Sequence, residues 1–427
     1  MRVWAEPNLS VYGAPGYAYA EMALRSCSIR ADGVVMKIPI WMPLLLGLLS
    51  AVGPISTDMY LPAFPAIEAT LGGRAGAAQI TLAAWFVGLA IGQITQGTLS
   101  DRYGRRLPLI VGTATYSLAT IGCALAPDLL TLSAMRFISA LGGSASMVLT
   151  RAIVRDLADG YAAARLMSQL MLVMGAAPIL APTLGGFVMA AAGWQAIFWI
   201  CSAYGALCCM GVACLLPETL PETRRIKLGL GGLVARYLNI LRDRGFITHA
   251  LLGGFAMFGM FAFLAGSPPV FIEHFLLSPA RYGALFGLSA AGFIAASQIS
   301  PRLLPRFGPD RIIRIAVRVF LSATVVLSIV AFTGFGGWIA VAAPIAVAMA
   351  SQGFTMPNAT VGALSRQAGQ AGSASALMGT LQFGLAAGSG VIVGLLGDGT
   401  ARPMALLMLA GAMGAVICDL YRPHRTL

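Results

Sequence analysis

Sixteen of the 427 residues are acidic, and one of them, Asp58 in the string STDMYLPAFP, falls clearly inside a long apolar run. An acid at the centre of a membrane helix costs roughly 2.5–3.5 kcal/mol on insertion scales, so such a residue generally faces a cavity and serves a purpose. Burial raises a carboxyl pKa, which lets a group so placed take up a proton near neutral pH and lose it when water or a cation approaches. Reversible protonation is therefore the chemistry that Asp58 offers. The plainer alternative is a helix-end cap beside the break at Pro62 and Pro65.

Arg136, in AMRFISALGGSASMV, is the second charge without an easy aqueous escape. An arginine there must pair or face water, and it could hold a nearby acid ionised or organise polar groups whose arrangement differs between two conformations. Snorkelling toward the start of its own helix, near Asp128, is the plainer alternative. Arg318 lies only a turn into its apolar run and reads as snorkelling, while Glu68 and Glu273 sit near run ends and read as interfacial.

Other chemistries find no support. A nucleotide-driven machine needs a glycine-rich loop ending in lysine, and Lys37 and Lys227, the only lysines, end no such loop. An ion gradient is then the expected energy source, with no cofactor. His249, His274 and His424 are scattered, which argues against a metal site. No G-x-S-x-G elbow is present, so the chain is not expected to be an enzyme. Six of the seven cysteines lie in apolar stretches and Cys27 precedes them, so no disulfide is expected.

The elements that must position these charges follow from composition. With 58% hydrophobic and 10% charged residues and a mean hydropathy of +0.81, too little charge exists to cover a soluble surface. Apolar runs bounded by charge, Gly or Pro place spans near 39–63, 77–98, 107–126, 130–150, 166–191 and 194–216, then 246–268, 282–301, 312–333, 338–362, 373–396 and 402–421. The expected organisation is a polar leader over 1–36, a bundle over 37–216, a linker over 217–245 and a second bundle over 246–427. The leader has no apolar core of a signal peptide, and Met36-Lys37 just ahead of the first span suggests Met36, or a nearby start such as Met22, as initiator.

The net charge of +12 could signal nucleic acid, but the basic residues sit in short gaps between spans. Arginines follow spans two, four and eight and fill the linker, whereas the opposite loops hold little beyond Arg74, Arg281 and Arg402. Positive loops stay inside during insertion, so both termini are expected in the cytoplasm. DRYGRR at 101–106 is echoed by PRFGPD at 305–310, each after the second span of its half, which points to a duplicated six-helix unit. Gly88 and Gly92 form a small-xxx-small pair. The run GAAPILAPTLGG over 175–186 could bend between halves, because Pro178 and Pro182 weaken the helical ladder. Span seven, rich in Phe and Met, suits large apolar or cationic ligands, although its side chains could equally face lipid. Phe258, Phe261, Gln169 and Gln382 are cavity candidates, with Gln352 and Asn358 as further polar contacts.

Taken in order, GTLSDRYGRR (97–106), RFISALGGSAS (136–146) and GAAPILAPTLGG (175–186) resemble three signatures of the major facilitator superfamily in its twelve-span drug:proton antiporter branch. STDMYLPAFP, AAWFVGLAIGQ, WQAIFWI, PETLPE and GSPPVFIEHF are similar to the Bcr/CflA group, exporters of bicyclomycin, sulfonamides and phenicols. The resemblance covers about residues 37–422. It implies an all-α membrane protein with the major facilitator fold, twelve transmembrane helices in two six-helix bundles, multi-pass in a bacterial inner membrane. It also implies alternating access, with protons as coupling ion, Asp58 as the protonated and substrate-responsive carboxylate, and Arg136 coupling it to conformation. Gly97, Asp101, Arg102, Gly104, Arg105 and Arg106 become a conformational switch, in which Asp101 meets the N-terminal end of span eleven near Gly372 and Ser373 and holds the halves together when the cavity opens outward. Gly175, Pro178, Pro182, Gly185 and Gly186 become the antiporter motif. The expected partners are a small drug and the lipid bilayer, without nucleic acid, and the chain is expected to be a monomer. Ser50 stands where some relatives carry a second acid, and Pro305 stands where the second loop would carry its own. A metabolite exporter or symporter of the same fold, or a transport-inactive membrane sensor, are the alternative readings.

Overall fold

The computed structural model describes residues 28–31, 34–37, 39, 41–72, 77–157, 160–225, 230–365, 367 and 371–423. A short antiparallel pair, β1 (Ser28–Ala31) and β2 (Val34–Lys37), precedes the helices. The first bundle then runs α1 (Trp41–Asp58), a 3-10 turn at Leu61–Ala63, α2 (Phe64–Leu71), α3 (Ala78–Tyr103), α4 (Arg106–Ala124), α5 (Leu129–Leu157), α6 (Gly160–Ala192) and α7 (Trp194–Leu215). Helix α8 (Leu230–Arg242) leads into the second bundle: α9 (Arg244–Pro268) with a π turn at Pro269–His274, α10 (Pro279–Thr333), α11 (Gly337–Leu364), α12 (Ala371–Leu396) and α13 (Arg402–Tyr421).

Helix α10 counts as two crossings. A continuous helix of its 55 residues would be far longer than a bilayer is thick, at about 1.5 Å per residue. The chain breaks at Gly308, whose φ of 70° and ψ of 159° lie outside the helical region, between Pro305 and Pro309. With α1 and α2 as one crossing, the described residues form twelve.

These helices are apolar around most of their circumference, and their outward faces carry Leu44, Leu118, Phe187, Ile329, Val347 and Leu395 in the open. That arrangement suits hydrocarbon as solvent rather than water. Inward, glycines let backbones close: a methyl at Gly88 would meet the Phe137 carbonyl oxygen at 2.5 Å, and one at Gly92 would overlap Ser144. The spacing read as small-xxx-small thus packs α3 on α5.

Several carboxylates finish helix ends. Glu68 accepts from Ala78 N (2.8 Å) at the start of α3, Asp128 from Thr131 N (2.7 Å) at α5, and Asp243 from Gly245 N (2.7 Å) at α9. The bonds from Thr131 hold the exposed Asp128 carboxyl below its usual range. Six cysteines are described and all are free, while Cys27 lies outside the described residues.

Candidate functional site

Asp58 is the last residue of α1 and is 6% exposed. The other buried carboxylates either cap a helix, as Glu68 does, or pair with arginine, as Asp419 does with Arg422. Among the described residues, Asp58 makes no such bond, which removes the capping alternative. It lies within electrostatic range of Tyr282 in the second bundle, whose hydroxyl is bonded to Ser267 Oγ at 2.8 Å. Glycine fixes the turn just beyond it, since a methyl at Gly185 of α6 would overlap the Met59 carbonyl oxygen.

Arg136 is 2% exposed, so it does not snorkel. Its guanidinium carbon lies 4.6 Å from the ring centroids of both Tyr60 and Trp85 and 5.8 Å from that of Phe198. Nη1 donates to the Ser56 carbonyl at 2.9 Å, while Nε and Nη2 find no acceptor among the described residues. Three π faces and one helix carbonyl therefore solvate the charge. No ion pair joins it to Asp58; the connection runs through the backbone of α1, two residues upstream. Ser56 Oγ bonds in turn to the Tyr116 hydroxyl, and the Tyr60 hydroxyl bonds to Thr81. Ser50 donates to the Leu46 carbonyl at 2.9 Å and reaches Thr150 Oγ1 at 3.4 Å.

The bundles meet close to Asp58. A methyl at Gly186 would come 3.0 Å from the Pro279 carbonyl oxygen, and one at Gly283 would come 2.8 Å from that of Pro182, so α6 and the start of α10 touch backbone to backbone. Along the same seam, Thr380 of α12 donates to the Ala90 carbonyl of α3 at 2.8 Å. Phe86 of α3 sets its ring 4.0 Å from that of Phe261 on α9 and 6.3 Å from that of Phe383 on α12. Phe261 and Phe263 are buried and Phe258 is half-buried against the core, so these α9 rings turn inward rather than to lipid. Gln382 is buried with Nε2 unbonded, and Gln352 is fully buried with both amide atoms unbonded, among the described residues. Asn358 is instead engaged, donating to Ser300 Oγ at 2.8 Å. The side chains at Gln169, Gly175 and Pro178 lie outside the described residues, although their backbone is helical.

At the arginine-rich end, Arg105 is the hub. It is 4% exposed and bonds to Asp101 Oδ1 (2.7 Å), Ser100 Oγ (2.7 Å) and Asp156 Oδ2 (2.8 Å). Burial opposes its charge, and the bonds to Asp156 and Asp101 outweigh that, leaving its pKa above the ordinary value. Arg106 Nη2 donates to the Ala213 carbonyl at 2.6 Å, and Arg102 lies over the Tyr103 ring at 5.4 Å. In this conformation Asp101 pairs with Arg105, and Arg236 of helix α8 donates to Ser373 Oγ at 3.5 Å. Gly97 is not forced by packing, because a methyl there would meet Ala376 at an ordinary 3.8 Å.

Gly104 is required, with φ at 91° and the Glu218 carboxylate filling the space a side chain would need. Glu218, in PETLPE after α7, accepts from the backbone N–H groups of Arg105 (2.8 Å), Leu220 (2.9 Å) and Arg106 (3.3 Å), closing the first turn of α4. Glu218→Ala should lower the thermal midpoint of the purified protein, at a cost of about 1–2 kcal/mol, and Glu218→Gln should lose less because its amide oxygen still accepts. Thermal unfolding in detergent checks this; an alanine variant melting like the parent would show that the cap is dispensable.

The second loop lacks an acid at Pro305, yet it is not bare. Arg422, just past α13, pairs with Asp310 and with Asp419 Oδ1 (2.7 Å) and is itself 2% exposed. Each bundle thus ties its second loop to a charge within three residues of the end of its last helix, by a carboxylate in one and a guanidinium in the other. The sequence reading passed over Glu218, Asp156, Asp310, Asp419 and Arg422. A charge three or fewer residues beyond an apolar run was the available signal for Glu218 and Arg422. Among the described residues, no group of three or more His, Cys, Asp or Glu is placed to hold a metal.

A family model described as Major Facilitator Superfamily matches residues 46–391. An uncharacterized MFS-type transporter, YdgK of Bacillus subtilis (strain 168), is 37% identical over 372 residues, 86% of this chain and 92% of that one. A bicyclomycin resistance protein homolog of Haemophilus influenzae is 29% identical over 390 residues, 90% and 96% of the two chains. The crystal structure of a D-xylose-proton symporter superposes with a TM-score of 0.68 over 90% of this chain and 97% of that one, at 15% identity, a likeness of fold alone.

Proposed function

The chain belongs to the Major Facilitator Superfamily, and on that premise we propose that it exports hydrophobic, antibiotic-like small molecules of the bicyclomycin, sulfonamide or phenicol type in exchange for entering protons. The observation that carries this reading is Asp58, buried at the seam between bundles with no cation or cap partner among the described residues. A carboxyl so placed is available to a proton in one conformation and to cargo in the other. Similarity to a bicyclomycin resistance protein homolog supports the class of cargo. No cofactor is required, the protein works as a monomer in a bacterial inner membrane without nucleic acid, and the arginine-rich end faces the cytoplasm.

Arg136 senses α1 through the Ser56 carbonyl, so a shift at Asp58 reaches the aromatic interior of the first bundle. Pro182, Gly185 and Gly186 form the bearing on which α6 moves against α10. Arg105, held by three oxygen partners, keeps the Asp101 loop rigid at the other end.

Inverted vesicles energised by respiration test the reading. Addition of bicyclomycin, a sulfonamide or a phenicol should release protons from the acidic lumen while labelled drug accumulates there. Proton release on adding a sugar or other metabolite, with none for the drugs, would favour the metabolite transporter. No flux with any compound would favour the transport-inactive sensor.

A further inference from the structure

We propose that the outward groove between α10 and α11 binds an anionic phospholipid, with an acyl chain in the groove and the headgroup phosphate on Arg318. The open groove has a volume of about 560 Å³, with Ile315, Val319 and Val326 on one wall and Pro344 and Val347 on the other, a size within the range of roughly 300–1,000 Å³ typical of ligand sites. It exists because small residues line its floor, Ser322 and Ala323 from α10 and Ala343 from α11. Its walls are apolar and outward, so in a bilayer its contents are lipid.

Arg318 is the one charged side chain among these lining residues. It is exposed, and no carboxylate pairs with it among the described residues. An unpaired guanidinium on a lipid face must find an anion or water. Ten residues past the Gly308 break, it stands about 15 Å along the helix at 1.5 Å per residue. Helical side chains lean toward the N-terminus, so its stem points back toward the arginine-rich end and headgroup depth. Arg311, a further two turns that way, is exposed with its guanidinium 5.5 Å from the Phe307 ring, which extends the positive edge. The lining holds no acid to receive the ammonium of a zwitterionic headgroup, so the charge favours an anionic lipid. With the orientation proposed above, the site opens to the cytoplasmic leaflet. Nothing in it depends on which cargo is carried.

Native mass spectrometry of the full chain in detergent tests the site, with phosphatidylglycerol, phosphatidylethanolamine of the same chains, and glycerol 3-phosphate as probes. The parent should retain phosphatidylglycerol at least fivefold over phosphatidylethanolamine and retain no glycerol 3-phosphate. Arg318→Gln should cut phosphatidylglycerol retention at least fivefold, Arg318→Lys should restore part of it, and Ala343→Leu, which fills the groove, should reduce retention of both lipids. Both positions are exposed, so neither change threatens folding. Parent-like retention in Arg318→Gln or in Ala343→Leu overturns the proposal, as does equal retention of the two lipids. Retention of glycerol 3-phosphate also overturns it, because the groove would then play no part.

Discussion

Energised inverted vesicles carrying Asp58→Asn are expected to accumulate no more drug than vesicles lacking the protein. Asparagine keeps the shape and the hydrogen-bonding oxygen of the side chain but cannot release a proton. Because the carboxyl caps no helix and pairs with no arginine among the described residues, the protein should fold as before, with an unchanged thermal midpoint. The loss is therefore a loss of coupling. One charge crossing 100 mV supplies about 2.3 kcal/mol, and about 1.4 kcal/mol corresponds to each tenfold ratio. The parent can thus hold a concentration ratio on the order of fortyfold for a neutral drug per proton, and the variant none. Drug-induced proton release should vanish along with accumulation. Gradient-driven export that persists in Asp58→Asn would refute the role given to this residue.

Arg136→Lys should lower the transport rate tenfold or more, although the charge is kept. The guanidinium presents a flat face to the rings of Tyr60 and Trp85, each 4.6 Å away, while still reaching the Ser56 carbonyl. An ammonium is a compact point charge that is more strongly hydrated and cannot satisfy both kinds of partner at once. Desolvated cation–π contacts are worth about 2 kcal/mol or more, so their loss at one stage of the cycle exceeds a tenfold change in rate. Arg136→Ala should be as slow and also less heat-stable, since it opens a cavity among Tyr60, Trp85 and Phe198. Comparing initial uptake rates with thermal midpoints separates the two. A lysine variant transporting at the parental rate would show that charge alone is needed.

Local patterning was legible and partnership across helices was not. Charge, Gly and Pro punctuate the apolar runs so clearly that spans read at 282–301 and 312–333 fall on either side of the backbone break at Gly308. The first span was drawn too short, to residue 63, because Pro62 and Pro65 read as its end; the crossing bends through a 3-10 turn at Leu61–Ala63 and runs on to Leu71. Asp58 and Arg136 declared themselves as charges in apolar company. The aromatic surroundings of Arg136 did not, because they come from the end of α1, from α3 and from α7, and no local pattern joins those positions. The contact between α8 and α12 went unread for a related reason. Arg236, on α8, sits in a stretch that reads as linker, although Tyr237, Ile240 and Leu241 already carry the spacing of one buried helical face against the second bundle.

The Glu218 cap bears on how the protein is made. Its partner Arg105 lies 113 positions earlier, and a ribosome adding roughly 5–20 residues per second needs several seconds or more to cover that distance. During that interval the start of the third crossing is unfinished, and the loop ahead of it has no fixed shape. Arg422 sets the same condition on the second bundle, 112 positions after its partner Asp310. If the two bundles are produced as separate polypeptides, an amino-terminal piece stopped at residue 216 should therefore be degraded faster in cells than one extended through residue 221.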